Sequence, residues 1–175
     1  MKVLLMGHPN VGKSVVFNRL TGVDVVTSNY PGTTVEYSEG SMLVEGQEVT
    51  IIDVPGTFSL NFRDKAEEVA VNMLDKEKDA IVISVLDSSK MERGLYLALE
   101  IMEHGYPLVL ALNMWDMAKH KGIKIDVDRL GEILGIPVIP TMATSGEGIS
   151  ELISSLKVAK PVNVKDVRER LGITT

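Results

Sequence analysis

Short apolar runs alternate along this chain with stretches in which apolar residues recur at helical spacing. Lys2–Met6, Ala80–Leu86 and Pro107–Leu112 are near-continuous apolar runs of strand length, the pattern of strands buried on both faces of a sheet. Val35–Val44 and Glu48–Val54 flank Glu45-Gly46-Gln47 and read as a hairpin, and Pro137–Pro140 as a further short strand. Helical spacing covers Val15–Leu20, Lys65–Asp75, Met91–His104 and Glu151–Val158. Another helix starts at Asp126 or Asp128 and runs to Leu134, with Gly135 past its end. With roughly six strands and five helices in alternation, the pattern predicts an α/β domain. Its sheet is mostly parallel and six-stranded with one antiparallel strand, and helices cover both faces. Two segments break the alternation. Val23–Thr34 holds the turn formers Ser28-Asn29-Tyr30-Pro31-Gly32-Thr33-Thr34 and reads as a long loop, a feature that is often functional. Pro161–Thr175 is a polar tail with an amphipathic turn over Val164–Leu171.

The polar residues of interest gather at strand ends, where an open α/β sheet binds its ligand. Between the first strand and first helix lie Gly7-His8-Pro9-Asn10-Val11-Gly12-Lys13-Ser14, with G-x-x-x-x-G-K-[ST] spacing. The two glycines let successive N–H groups face an anion, and the helix after them adds its positive end. Lys13 is placed to reach β- and γ-phosphates and the Ser14 hydroxyl to ligate Mg²⁺. Asp53-Val54-Pro55-Gly56 ends another strand; the carboxylate can hold Mg²⁺ through water, and the Gly56 N–H can bond a γ-phosphate. Asn113-Met114-Trp115-Asp116 ends a third. The Asp116 carboxylate can accept from the N1–H and exocyclic amine of guanine, whereas adenine would leave it unpaired at a large cost. Asn113 can brace the base and tie its loop to the phosphate loop, Trp115 can flank the base, and Met142-Ala143-Thr144 can close the pocket with the Ala143 N–H toward guanine O6. In the long loop Gly32, Thr33 and Thr34 offer a turn and two hydroxyls, one of which is needed as a second protein ligand to Mg²⁺. Bound with a γ-phosphate it would order that loop, and hydrolysis would release it.

Composition narrows the classes without adding chemistry. The chain has 175 residues, 45% hydrophobic and 24% charged, the profile of one globular domain. A net charge of −6 leaves no electrostatic footprint for nucleic acid. With no cysteine there is neither a disulfide framework nor thiolate chemistry, which suits the cytosol. No apolar run has the length of a membrane span or signal peptide. His8, His104 and His120 lack metal-ligand spacing.

The set GHPNVGKS, NYPGTTVE, DVPGTFSL and NMWD resembles the cytosolic G domain of the FeoB ferrous iron transporters, over residues 1–160. Asp87-Ser88-Ser89 and Glu92-Arg93-Gly94-Leu95-Tyr96-Leu97 add to the likeness. The resemblance implies a Ras-like P-loop GTPase fold that binds GTP and GDP, with Thr34 rather than Thr33 on Mg²⁺. It also implies a ferrous iron permease as attached domain or partner, a place at the inner face of the cell membrane, and a nucleotide-dependent oligomer as an assembly to test. The family continues into a helical spacer, so residues 161–175 read as its start. The chain departs from common G-domain patterns at Met114, where a lysine is usual outside this family. It also has Met142 in place of serine and His8 in place of asparagine.

Hydrolysis is expected to be slow. The place after Gly56 that holds a water-orienting glutamine in Ras-like enzymes carries Thr57 and then Phe58, neither a good base, and Pro9 crowds the phosphate loop. No arginine lies in residues 7–14 or 23–34 to neutralise the growing charge. In potassium-stimulated relatives an asparagine at the place of Asn10 helps hold K⁺ against the phosphates, so the resemblance gives Asn10 a role beside Lys13, Thr34 and Gly56. The competing readings are an Era-like GTPase of ribosome assembly, which usually carries a basic domain, and a module that only senses guanine nucleotide.

Overall fold

A computed structural model describes residues 1–22 and 24–173; Val23, Thr174 and Thr175, assigned above to the loop and the tail, lie outside them. The strands are β1 (Lys2–Gly7), β2 (Val26–Asn29), β3 (Glu36–Val44), β4 (Gln47–Asp53), β5 (Ile81–Asp87), β6 (Leu108–Asn113) and β7 (Val138–Pro140). The helices are α1 (Lys13–Leu20), α2 (Lys65–Lys76), α3 (Met91–Glu103), α4 (Trp115–His120), α5 (Val127–Leu134), α6 (Ile149–Ser155) and α7 (Val164–Arg170), and a 3₁₀ turn at Leu156–Val158 extends α6.

The strands form one sheet in the order β2-β3-β4-β1-β5-β6-β7. β1 pairs in parallel with both β4 and β5, and β5-β6-β7 continue in parallel. β3 is antiparallel to both β2 and β4, and so is the one reversed strand. Strand order turns outward in both directions from β1, which opens a crevice at its carboxyl end.

The apolar runs are explained by what each face meets. Alternate residues of β1 enter different clusters. Leu4 and Met6 pack with Val69, Leu97 and Ile101 from α2 and α3, whereas Val3 and Leu5 pack with Val16, Phe17 and Leu152 from α1 and α6. Both sides of the pleat are buried, so the polar half of a strand's usual alternation is missing.

The sheet has seven strands where six were expected. The extra one, β2, lies inside the segment read as loop. All four of its residues are exposed, so no apolar alternation marked it; it is held by its ladder to β3 and a 2.9 Å hydrogen bond between the Thr27 and Ser38 hydroxyls. α4, which no periodicity marked, starts at Trp115 within the Asn113–Asp116 motif and runs on to His120. α6 begins at Ile149, two residues before the expected start. In the tail, the Asn163 side chain accepts from Lys165 N–H at 2.9 Å to start α7. Val162 and Val167 are buried in the cluster on the α3 face.

Candidate functional site

β1 ends at Gly7, where a Cβ would stand 2.5 Å from the Val85 carbonyl oxygen of β5. The backbone then takes left-handed turns at Asn10 (φ 66°) and Gly12 (φ +81°). At Gly12 a Cβ would also come within 2.4 Å of Asn113 Nδ2, so only glycine fits this turn without displacing that amide. Val15 and Val16 N–H groups donate to Gly12 O at 3.1 and 3.0 Å, which launches α1. His8 is half-buried, Pro9 and Asn10 are exposed, and Val11 is buried.

The Lys13 ammonium is bonded to Asp53 Oδ1 and, at 2.5 Å, to Val54 O. Ser14 Oγ donates to the other carboxylate oxygen, Asp53 Oδ2, at 3.1 Å. Three of the expected phosphate and metal groups therefore meet between the start of α1 and the end of β4. Ser14 and Asp53 supply hard oxygen donors side by side, which suits Mg²⁺. Lys13 rests on the carboxylate, a charge that phosphate oxygens would replace.

Asn113 joins three segments. Its Nδ2 donates to Val11 O at 3.0 Å, while its Oδ1 accepts from Thr141 Oγ1 at 3.2 Å and Ala143 N–H at 3.1 Å. The expected tie between base loop and phosphate loop is present. The Ala143 N–H, expected toward guanine O6, donates to Asn113 Oδ1 in this structure. A mainly apolar cavity of about 330 Å³ lies among Gly12, Val15, Met114, Asp116, Met142 and Ala143. Met114 stands in left-handed conformation (φ 56°), and Asp116 is exposed in the first turn of α4. Trp115 does not line this cavity as expected for a flank of the base; its half-buried ring packs on the α3-side cluster, with Lys119 Nζ 6.0 Å from the ring centroid.

Arg19, which sequence reasoning missed, secures the closing loop. Its Nε donates to Ala143 O at 2.8 Å and its guanidinium also bonds Thr144 O. Nothing local marks an arginine in α1 for this, since its partners are more than a hundred residues away.

The segment at Gly32–Thr34 forms its own turn. Thr33 Oγ1 donates to Tyr30 O at 2.9 Å and accepts from Val35 N–H at 3.1 Å, whereas Thr34 is exposed. The Thr33 hydroxyl is thus used locally. Among the described residues no hydrogen bond joins this turn to residues 7–14 or to Asp53.

After Asp53-Val54-Pro55-Gly56 the chain docks on the phosphate loop. A Cβ on Gly56 would stand 3.1 Å from Pro9 Cγ, and Thr57 N–H donates to Gly7 O at 3.1 Å. Thr57 is fully buried, with its hydroxyl on Ser59 O at 2.8 Å, so it is not poised on a substrate water. Two buried carboxylates that no sequence motif marks hold residues 58–63. Glu67 accepts from Phe58 N–H (3.0 Å) and Arg63 N–H (2.8 Å), and Glu100 from Ser59 Oγ and Leu60 N–H, both 2.9 Å. The His8 ring lies 4.9 Å from that of Phe58. Burial holds the His8 pKa below its ordinary value of 6.5. The Phe58 backbone hydrogen bond and Glu67 oppose that shift, and Arg93 adds to it.

Known proteins share this layout. The family described as ferrous iron transport protein B, FeoB_N, matches residues 1–156. The Fe(2+) transporter FeoB of Salmonella typhimurium is 41% identical over 152 residues, covering 85% of this chain but 20% of that protein. The chain therefore spans about a fifth of that curated relative's length. Among solved structures, the G domain of the T. maritima FeoB iron transporter superposes with a TM-score of 0.80 at 40% identity, covering 98% of each chain. The cytosolic domain of T. maritima FeoB in its GMPPNP form gives 0.85 at 44% identity, covering 90% of this chain and 63% of that one. The expected α/β P-loop GTPase fold is the one observed.

Proposed function

Because the chain belongs to the FeoB_N family, the amino-terminal family of ferrous iron transport protein B, we propose that it binds GTP and GDP, hydrolyses GTP slowly, and regulates ferrous iron uptake through an attached or partner permease. The Asn113 network carries this reading: one side chain fixes the phosphate loop at Val11 and the closing loop at Thr141 and Ala143, around a cavity that ends at Asp116. The cavity's apolar walls suit a flat base, and the exposed Asp116 carboxylate supplies the acceptor that selects guanine.

The phosphates would lie over residues 7–14, with Lys13 transferred from Asp53 to their oxygens. Ser14, Thr34 and, through water, Asp53 would hold Mg²⁺, which neutralises phosphate charge when bound. Thr34 is the better of the two threonines because the Thr33 hydroxyl is already bonded. Gly56 would offer its N–H to the γ-phosphate, and Asn10 would help hold K⁺ beside the phosphates. Thr57 is buried with its hydroxyl on Ser59 O and does not take the water's proton, so in this reading the residues act by position and charge.

Residues 1–160 form the nucleotide-binding unit in this reading. Residues 161–175 begin the helical spacer, docked through Val162 and Val167. Among the described residues no helix is long and apolar enough to cross a membrane. In this reading, which rests on the family, the membrane step belongs to the permease and the domain works at the membrane's cytoplasmic face. A change in oligomeric state with nucleotide is part of the reading and is checked by sedimentation with GDP and a GTP analogue.

The direct test is titration with GDP and ADP in Mg²⁺ buffer. Saturable GDP binding with ADP weaker by on the order of a thousandfold is expected from an unpaired carboxylate. Equal affinities, or no binding, would overturn the reading.

A further inference from the structure

Glu100 lies in the last turn of α3, yet its carboxylate serves a loop some forty residues earlier. It is 8% exposed and accepts from Ser59 Oγ at 2.9 Å, Leu60 N–H at 2.9 Å and Asn61 Nδ2 at 3.3 Å. Among the described residues no cation forms a salt bridge with it, so neutral donors from residues 59–61 balance a buried charge. Such charge-assisted bonds are about twice as strong as neutral ones, and losing them strands a desolvated group.

These bonds lead directly to the phosphate loop. Ser59 O accepts from Thr57 Oγ1 at 2.8 Å, and Thr57 N–H donates to Gly7 O at 3.1 Å. Gly56 stands between these anchors and Asp53, against Pro9. α3 is itself fixed: a Cβ on Gly94 would meet Leu86 Cγ of β5 at 2.6 Å, a fit that seats the helix on the sheet. Glu100 is therefore a rigid post, and the segment bearing Gly56 is strung from the phosphate loop to it.

We propose that Glu100 is a positioning residue for the γ-phosphate: by fixing residues 59–61 it presents the Gly56 N–H where the third phosphate arrives. The inference rests on the nucleotide-binding reading above. GDP lacks that phosphate, so the effect of Glu100 falls on GTP affinity, whereas a residue needed only for folding would affect both nucleotides.

The test measures GDP and a non-hydrolysable GTP analogue binding to the 175-residue chain and its variants, with urea midpoints recorded in parallel. Glu100→Ala is expected to lower affinity for the analogue by about tenfold or more, with GDP affinity within about twofold. Glu100→Gln, which retains one acceptor oxygen, should recover part of the difference. Ser59→Ala removes one donor from a half-buried loop position and should lower analogue affinity by about three- to tenfold, giving a measurement even where Glu100→Ala does not fold. Equal losses for both nucleotides, or an unchanged ratio in Ser59→Ala and Glu100→Gln, would overturn the positioning role. Failure of the unsubstituted chain to bind GDP would instead overturn the nucleotide reading.

Discussion

At the scale of single residues, the proposed function rests on a few polar side chains, each of which can be tested alone. Asp116 is the clearest. Asp116→Asn should cost about 2–3 kcal/mol of GDP binding and shift preference toward xanthine nucleotides, whose 2-oxo group accepts from the new amide. Competition between GDP and XDP measures this, and unchanged guanine affinity would remove Asp116 as base reader. Asn10 is held at φ 66° with its side chain exposed. Hydrolysis should rise when Na⁺ is replaced by K⁺, and Asn10→Ala should abolish the rise, on the order of a hundredfold, while GDP binding is nearly retained. Equal single-turnover rates in the two salts would leave Asn10 as a turn residue. His8 links acid stability to the phosphate loop. Its folded pKa is lowered by burial, so the unfolded chain takes up the proton first as pH falls through about 6.5. Stability is then lost below that pH. Urea unfolding at pH 7.5 and 5.5 should show a larger loss for the unsubstituted chain than for His8→Asn. At this scale the sequence was most legible where the spacing of a short local motif marks the residue, as for Gly12, Lys13 and Asp53. It was least legible for Arg19, Glu67 and Glu100, whose acceptors and donors are brought to them by the fold.

At the scale of elements, the strands buried on both faces were readable because burial leaves long apolar runs. β2 was not, since its four exposed residues carry no alternation and its pairing is with β3 alone. α4 was not, since six residues are too few for a periodic signal and its first turn doubles as the base motif. The same logic explains the difference between the two loops beside the phosphates. Residues 57–63 are bonded to α2 and α3 through Glu67 and Glu100, whereas the turn at Tyr30–Val35 bonds mainly to itself. Its ends, Tyr30 and Val35, pack on the α3-side cluster, while Thr34 between them is exposed and available to a ligand. Thr34→Ala should accordingly weaken a GTP analogue by on the order of tenfold and GDP much less. Isothermal titration with each nucleotide decides this, and equal losses would count against a switching role for the segment.

At the scale of the whole molecule, stability is not spread evenly. β1, β5 and β6 sit between two apolar clusters, whereas β2 forms one edge of the sheet and contributes no buried side chain. Hydrogen exchange should therefore be slowest in β1 and β5 and faster by orders of magnitude in residues 24–35. Comparable protection in β1 and β2 would contradict this gradient. A strand held by its ladder but not by a core can peel away at little cost, like the loose end of a zip, while the remaining six stay closed. If a nucleotide reshapes that margin, as the proposed function requires, the work is set by a few backbone bonds to β3 and the central sheet takes up no strain.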